Sequence, residues 1–472
     1  MSLLLTVPLR QCNYTHPGFI PCVGRSLGEA YNATRHLRHS ELIENPAGGF
    51  GNQVEGVLSV WMLALVTDRR AVVINPLIRA LYEPPLGFAE GLTSGWTNPT
   101  RRGLQQLKHM RIRWNASAYE RALMGHAAVA MPRHFAGMML DQLLVMGATT
   151  VGAPMIEALR RIGVPFGWAL SQDFLGYVAG HFVLRQLSRG AARELRRYSA
   201  AAGEGCVAKH ASRGEATTAA GRTDPRNEAS AISAAVHFRT FADAVTSQGQ
   251  PDGPDNPVSC RNTSSADYGF CSLWGHKPHD SFSQCALGAI APTPQPPGSS
   301  TATSKPPAGR CAFIVSDNPR WAVHLAQQLR ATGYPAVTEH ALSRRSGRWV
   351  AGSARDALTS GWQQGSWHTG APDMTAEGSE ELSRWQRGPP PEGSTREEAV
   401  WRHPSLLSWL LLSRAPTKVV TGMSIFSNSA LHAGAARSPR SRTTAWHYRG
   451  VESSLKCLSV DQAFIHPDTA SG

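Results

Sequence analysis

The chain contains no Asp-x-Asp pair, no Cys-x-x-Cys and no His-Glu-x-x-His. The first absence removes the usual carboxylate pair for a metal-bound nucleotide. The second removes zinc ribbons and thioredoxin-like redox motifs, and the third argues against a zinc peptidase. Long apolar runs are also missing. Residues 1–9 are apolar but fall far short of the ~20 residues that span a bilayer, with no basic start and no clear cleavage site. The chain is therefore soluble, or its membrane anchor lies upstream. Lysine is scarce: among 47 basic residues only Lys108, Lys209, Lys277, Lys305, Lys418 and Lys456 are not arginine.

The formal net charge is +13, which raises the question of nucleic acid. Arginine is spread along the whole chain, without a basic stripe, interleaved aromatics or a helix-turn-helix, finger or RNA-binding signature, so no nucleic-acid partner is expected. The same charge suits a small ligand carrying phosphate. With 472 residues, 42% of them hydrophobic, the chain can bury a sizeable core, and its length implies two or three domains. The 44 Gly and 32 Pro point to loose inserts between globular lobes.

The 8 cysteines are Cys12, Cys22, Cys206, Cys260, Cys271, Cys285, Cys311 and Cys457, an even number that suits an oxidising compartment. Cys260, Cys271 and Cys285 are close enough in sequence for a local disulfide. Glycosylation sequons begin at Asn13, Asn32, Asn115 and Asn262.

Residues 1–40 read as a stem. Gly48-Gly49-Phe50-Gly51-Asn52-Gln53 reads as a glycine turn, and residues 54–67, apolar on nearly every face, as a buried helix followed by a strand at 71–74. Helical stretches fill 101–200, and Ala/Gly/Thr-rich residues 201–230 read as a disordered insert. A strand over 232–241 opens a second half. Flexible inserts are expected at 286–310 and 351–400, with a strand at 311–315, a helix at 320–331, a helix at 404–414 and a strand at 417–421. Residues 422–426 read as a turn, with a helix from about Ser427. The domain plan is thus a lobe at 41–200 and a second at 231–465. Alternating strand and helix predicts parallel sheets of the α/β class, with ligands at the carboxyl ends of the strands.

Three elements have chemical promise. The glycine turn at 48–53 lets backbone N–H groups approach an anion at a helix start; a tight turn opening a helix explains it equally well. His237-Phe238-Arg239 ends an apolar strand, where an arginine can pair with a diphosphate. His-x-Arg recurs at His36-Leu37-Arg38 and His447-Tyr448-Arg449, but only the middle copy has this context. Residues 421–427 join a strand to a helix with small and hydroxyl side chains, which cap the helix or bind an anion.

The order of these pieces resembles the fucosyltransferase superfamily, most of all the plant xyloglucan-type α-1,2-fucosyltransferases. Gly49-Phe50-Gly51-Asn52-Gln53, then Leu58 through Arg69, is similar to that family's opening motif. Leu81-Tyr82-Glu83-Pro84-Pro85 resembles a segment that follows it. Val236 to Phe241, the strand with Asp317, and Leu410 to Arg414 with Ser424-Ile425-Phe426 resemble the later motifs in order. The resemblance implies a GT-B-like architecture, two Rossmann-like lobes facing across a cleft. It implies fucose transfer from GDP-fucose to a glycan acceptor with inversion, no metal and no further cofactor, in the Golgi lumen with an anchor outside this chain. Carried over by position, Arg239 holds the diphosphate with His237 beside it. Asn52, Gly51, Asp317, Ser424, Ile425 and Phe426 line the donor site, and Asp243 and Glu83 are the carboxylates to test as base. Ile425 departs from the family, where a hydroxyl residue stands. A transferase with another donor or a protein acceptor, and an inactive glycan-binding pseudoenzyme, remain open.

Overall fold

The computed structural model describes residues 10–13, 16, 18–34, 41–44, 50–67, 69–73, 75–83, 129–130, 152–164, 172–211, 232–238, 278–291, 310–316, 319–346, 396–421, 424–434, 442–448 and 455–459. They form an α/β structure with two sheets. In the first, β1 (Glu41–Ile43) lies between β2 (Arg70–Val72) and β3 (Val129–Ala130), all parallel. The second is a six-stranded sheet with the order β6-β5-β4-β7-β8-β9. Its strands are β4 (Ala234–Phe238), β5 (Ala312–Ser316), β6 (Ala336–Thr338), β7 (Thr417–Thr421), β8 (Arg442–Tyr448) and β9 (Leu455–Ser459). All neighbours are parallel except β8 and β9 at one edge.

This order creates a switch point. From β4 the chain moves outward through β5 to β6, then crosses back to lay β7 on the other flank of β4. From β4 and β7 the chain therefore leads to opposite flanks of the sheet. This reversal of strand order is the place where open α/β sheets take ligands, at the strands' carboxyl ends.

Helices that precede β4 in the chain include α1 (Phe19–Thr34), α2 (Phe50–Val66), α3 (Pro76–Leu81), α4 (Gly152–Arg161), α5 (Gln172–Val183) and α6 (Arg189–Ala211). Helix α2 packs on β1 and β2, and α6 on β6 of the second sheet. Helix α1 lies inside the stretch expected to be a stem. Phe19, Val23, Leu27, Ala30 and Tyr31 recur at helical spacing and are buried, α1 packing on α5. Gly24-Arg25-Ser26-Leu27-Gly28 has the spacing of a hydrolase nucleophile elbow, but it lies mid-helix, and the Ser26 hydroxyl accepts the Arg10 N–H at 3.1 Å. That motif needs a strand-to-helix turn, so no elbow exists here.

Helix α2 begins at Phe50, not at 54, so the expected Phe50–Gln53 loop is its first turn. Helix α6 runs through Ala211, into the expected insert at 201–230, because its alanines are strong helix formers. The second sheet is flanked by α7 (Pro278–Ile290), α8 (Pro319–Ala331), α9 (Glu339–Ser346), α10 (Arg396–Arg402), α11 (Pro404–Arg414) and α12 (Ile425–Gly434). Helices α7 and α10 thus occupy parts of the inserts expected at 286–310 and 351–400. Helix α12 starts two residues ahead of the expected Ser427.

Alternate residues of β4 serve two cores. Ala234, Val236 and Phe238 join Phe282 of α7 and Trp321 and Leu325 of α8. Ala235 joins a larger cluster that runs through α6, α11 and α12 into α1, α2 and α5. Disulfides link Cys12 to Cys22, Cys206 to Cys311 and Cys285 to Cys457. Cys285 therefore reaches the edge strand β9 instead of closing a local loop with Cys260 or Cys271, which lie outside the described residues. Three disulfides fit an oxidising, secretory compartment. Among the described residues no helix is long and apolar enough to cross a membrane.

Candidate active site

The carboxyl ends of the central strands are tied by hydroxyl groups. The Ser316 hydroxyl, at the end of β5, donates to the Phe238 carbonyl at 2.8 Å, and the Thr421 hydroxyl, at the end of β7, donates to the His237 carbonyl at 3.4 Å. From Thr421 the chain turns quickly into α12. The Ser424 N–H donates to the Thr421 carbonyl at 3.0 Å, and the Ser424 carbonyl accepts the first helical bond, from the Asn428 N–H, at 2.9 Å.

His237 is fully buried on the α12 side of β4. Its Nδ1 shares a hydrogen bond of 2.6 Å with the Ser427 hydroxyl, and the Phe426 ring lies 4.8 Å away, centre to centre. The ring is thus a wall that holds the first turn of α12. Ser424 and Phe426 are buried behind that turn, while Ile425 is 42% exposed at its tip.

Helix α2 meets α12 at this same turn. A Cβ on Gly51 would sit 2.7 Å from the Phe426 nitrogen and 2.8 Å from the Ile425 carbonyl carbon, closer than any side chain tolerates. Glycine here permits backbone-to-backbone approach. The starts of α2 and α12 are therefore adjacent, and neither has an acidic residue in its first turn. Each helix start carries partial positive charge on its leading N–H groups, and two side by side repel unless an anion lies between or before them. The arrangement suits a negatively charged ligand at the switch point.

Behind α2 a buried polar chain fixes its first turn. The Asn75 side-chain amide donates to Gln53 Oε1 at 2.8 Å, and the Asn75 N–H donates to Glu44 Oε2 at 3.0 Å. Asn75 Oδ1 also caps α3 through the Leu77 and Ile78 N–H groups. On the far side, Trp409 of α11 stands 5.0 Å from the Phe50 ring and donates its indole N–H to the Ser429 hydroxyl at 3.0 Å.

Of the residues singled out in sequence, Gly51, His237, Ser424, Ile425 and Phe426 come together. Glu83 follows α3, half-buried, with its N–H bonded to the Gln186 carbonyl at 2.8 Å. Arg239, Asp243 and Asp317 lie outside the described residues, as does the side chain of Asn52. Sequence reasoning placed Ser427 in the 421–427 motif but missed its bond to His237, and it missed the Asn75 chain and the pair Glu55–His432. A lone carboxylate, Glu55, inside an otherwise apolar helix was the available signal, because such a group needs a buried partner.

No family model matches the chain, and no curated protein matches it. Among solved structures it is similar to a mutant of Arabidopsis thaliana FUT1 in complex with GDP, at 11% identity and a TM-score of 0.38, covering 93% of this chain and 80% of that one. NodZ α-1,6-fucosyltransferase of Bradyrhizobium, co-crystallized with GDP, matches at 13% identity and a TM-score of 0.35, over 89% and 98% of the two chains. POFUT1 in complex with GDP matches at 14% identity and a TM-score of 0.33, over 85% and 97%.

Proposed function

We propose that this chain is a glycosyltransferase of GT-B type that transfers fucose from GDP-fucose to a glycan acceptor. One observation carries the reading: the starts of α2 and α12, the two segments whose sequences resemble the first and last fucosyltransferase motifs, meet at the switch point beside His237. Motif order in the sequence and this juxtaposition support it independently.

In this reading the donor diphosphate sits before the two helix starts. Backbone N–H groups near Gly51 and Phe426, with Ser424, neutralise part of its charge. Arg239, directly after β4, supplies the rest as a planar fork. Departure of GDP leaves positive charge on the fucose ring, and the acceptor hydroxyl attacks the opposite face, inverting the carbon. The acceptor's proton passes to a carboxylate, with Asp243 and Glu83 as candidates, or to solvent when bond breaking runs well ahead of attack. Asn52 and Asp317 complete the donor contacts. His237, buried, acts through Ser427 and Phe426 by holding the turn. No metal takes part, and activity survives EDTA. The enzyme works in the Golgi lumen, in keeping with its disulfides.

The test needs no acceptor. The purified chain is offered GDP-fucose, GDP-mannose, UDP-galactose and UDP-N-acetylglucosamine, and hydrolysis is followed with calorimetric binding of GDP and UDP. Preferential hydrolysis of GDP-fucose and binding of GDP are expected. Turnover of a UDP-sugar instead transfers the reading to another donor. Binding of GDP without turnover of any donor, even with glycan acceptors added, leaves a glycan-binding pseudoenzyme.

A further inference from the structure

Glu55 is the one charged residue within α2, and it is buried to 4% exposure against an equally buried His432 of α12. The His432 Nδ1–H donates to Glu55 Oε1 at 2.6 Å. Pairs of this kind are seldom needed for stability, since well-packed apolar residues of like volume serve as well or better. What they add is one preferred arrangement, because any displacement breaks a hydrogen bond between two buried polar groups.

The pair's place on the two helices says what it arranges. Glu55 lies four residues after Gly51, on the same stripe of α2, and His432 lies seven residues after Ile425, on the same stripe of α12. The helices therefore touch twice, by bare backbone at their starts and by a charge-assisted hydrogen bond further along. Two contacts fix both the separation and the rotation of one helix against the other. Helix α5 closes the third side. Gly180 lies so near the His432 carbonyl that a side chain there would overlap it, and the Tyr177 ring stands 5.2 Å from the imidazole, edge to face. His432 has one seat.

We infer that Glu55 and His432 are a positioning pair that sets the spacing of the two helix starts receiving the donor diphosphate. This joins the region around the first sheet to the nucleotide side of the second. The inference rests on the function proposed above. Neither residue touches the donor, and their effect falls on GDP affinity through the cradle's geometry.

Binding and stability separate the idea from a merely structural role. GDP dissociation constants by calorimetry, KM and kcat for GDP-fucose hydrolysis, and Tm are measured for wild type, Glu55→Gln, Glu55→Met and the double variant Glu55→Met/His432→Leu. Glu55→Met takes the carboxylate from the imidazole and lowers both Tm and affinity. The double variant removes both polar partners and recovers Tm. It keeps a GDP affinity on the order of tenfold weaker, the factor a charge-assisted hydrogen bond controls. KM rises with kcat little changed, because ground state and transition state share the diphosphate contacts. Glu55→Gln, which still accepts from His432, falls between. Leu325→Ala, in the opposite core, lowers Tm and leaves GDP affinity alone. Recovery of GDP affinity together with Tm in the double variant overturns the inference, as does wild-type affinity in every variant. Should Glu55→Met fail to fold, the double and Gln variants decide alone. A wild type that binds no GDP removes the proposed function and this inference with it; affinity that merely tracks Tm removes only the inference.

Discussion

The two faces of β4 use the same five residues for different ends. Toward α7 and α8, Phe238 stacks on Phe282 at 4.4 Å and leans on Trp321 at 4.5 Å, in a hydrophobic cluster. Toward α12, His237 meets the Ser427 hydroxyl and the Phe426 ring. The aromatic face has nothing to orient and contributes burial. The imidazole face buries less oil but fixes a direction, because a hydrogen bond has a geometry that dispersion lacks. One strand thereby supplies stability on one side and aim on the other.

The sharpest way to break this contrast uses two neighbours. Arg239→Ala should lower GDP-fucose turnover by roughly 10²–10³ with an unchanged circular dichroism spectrum, because a bidentate charged contact to the leaving diphosphate is lost. Arg38→Ala and Arg449→Ala, from the other two His-x-Arg sequences, should cost far less. Phe238→Ala should do the reverse, costing about 3–5 kcal/mol of stability with GDP affinity little changed in the folded fraction. Turnover and urea unfolding of all four variants make the comparison, and equal effects of Arg239→Ala and Arg449→Ala would sink the site assignment.

A second contrast sets the paired imidazoles against His181. Neither ring nitrogen of His181 has a hydrogen-bond partner among the described residues. Burial first, then the charges of Arg185 and Arg25, push its pKa down from 6.5 to about 4. As pH falls from 6.5 to 4 the unfolded chain takes up a proton the native chain refuses, so stability drops across that window. The loss is on the order of 2–3 kcal/mol. His403, whose pKa burial lowers to about 4, adds to it. Glu339 works the other way: burial raises its pKa to about 7, so it withdraws stability as pH rises from 4.5 through 7. Urea midpoints from pH 7 to pH 4 should fall in wild type, fall less in His181→Phe and fall more steeply in Glu339→Gln.

His237→Phe keeps the ring's bulk but leaves the buried Ser427 hydroxyl without its partner, at a cost of about 1–3 kcal/mol. Part of that should appear as a severalfold weaker GDP affinity, which Phe282→Leu, on the opposite face, should not share. The smallest effect is expected at Ile425. Ile425→Thr places a hydroxyl at the exposed tip of the turn and should tighten GDP-fucose binding a few-fold, about 1 kcal/mol, read as a lower KM. A higher KM would mean that the aliphatic side chain itself contacts the donor.

Strand and helix identities in the second half were legible because apolar runs there are short and cleanly bounded. The spans 404–414 and 417–421 coincide with α11 and β7. Glycine misled at Phe50–Gln53. A glycine before an apolar run reads as a turn, yet Gly51 is helical and serves close packing, a purpose visible only once α12 lies against it. Alanine-rich 201–211 misled in the opposite direction, since low complexity suggested disorder where helix propensity prevailed. Helix α1 was overlooked because its apolar residues are interrupted by glycines and a proline, although their spacing marks one buried face.

The sequence by itself determined that this is an α/β chain of alternating strands and helices, with hydroxyl-rich and glycine-rich turns at particular strand ends. These properties are local: periodicity, propensity and turn chemistry act over a few residues. Only the tertiary structure decided that β7 returns to the flank of β4 and makes a switch point there. It alone decided that Gly51 meets Phe426, and that Glu55, anomalous in its helix, has His432 waiting across the interface. Such pairings are set by packing between segments far apart in the chain, and no local pattern encodes the partner.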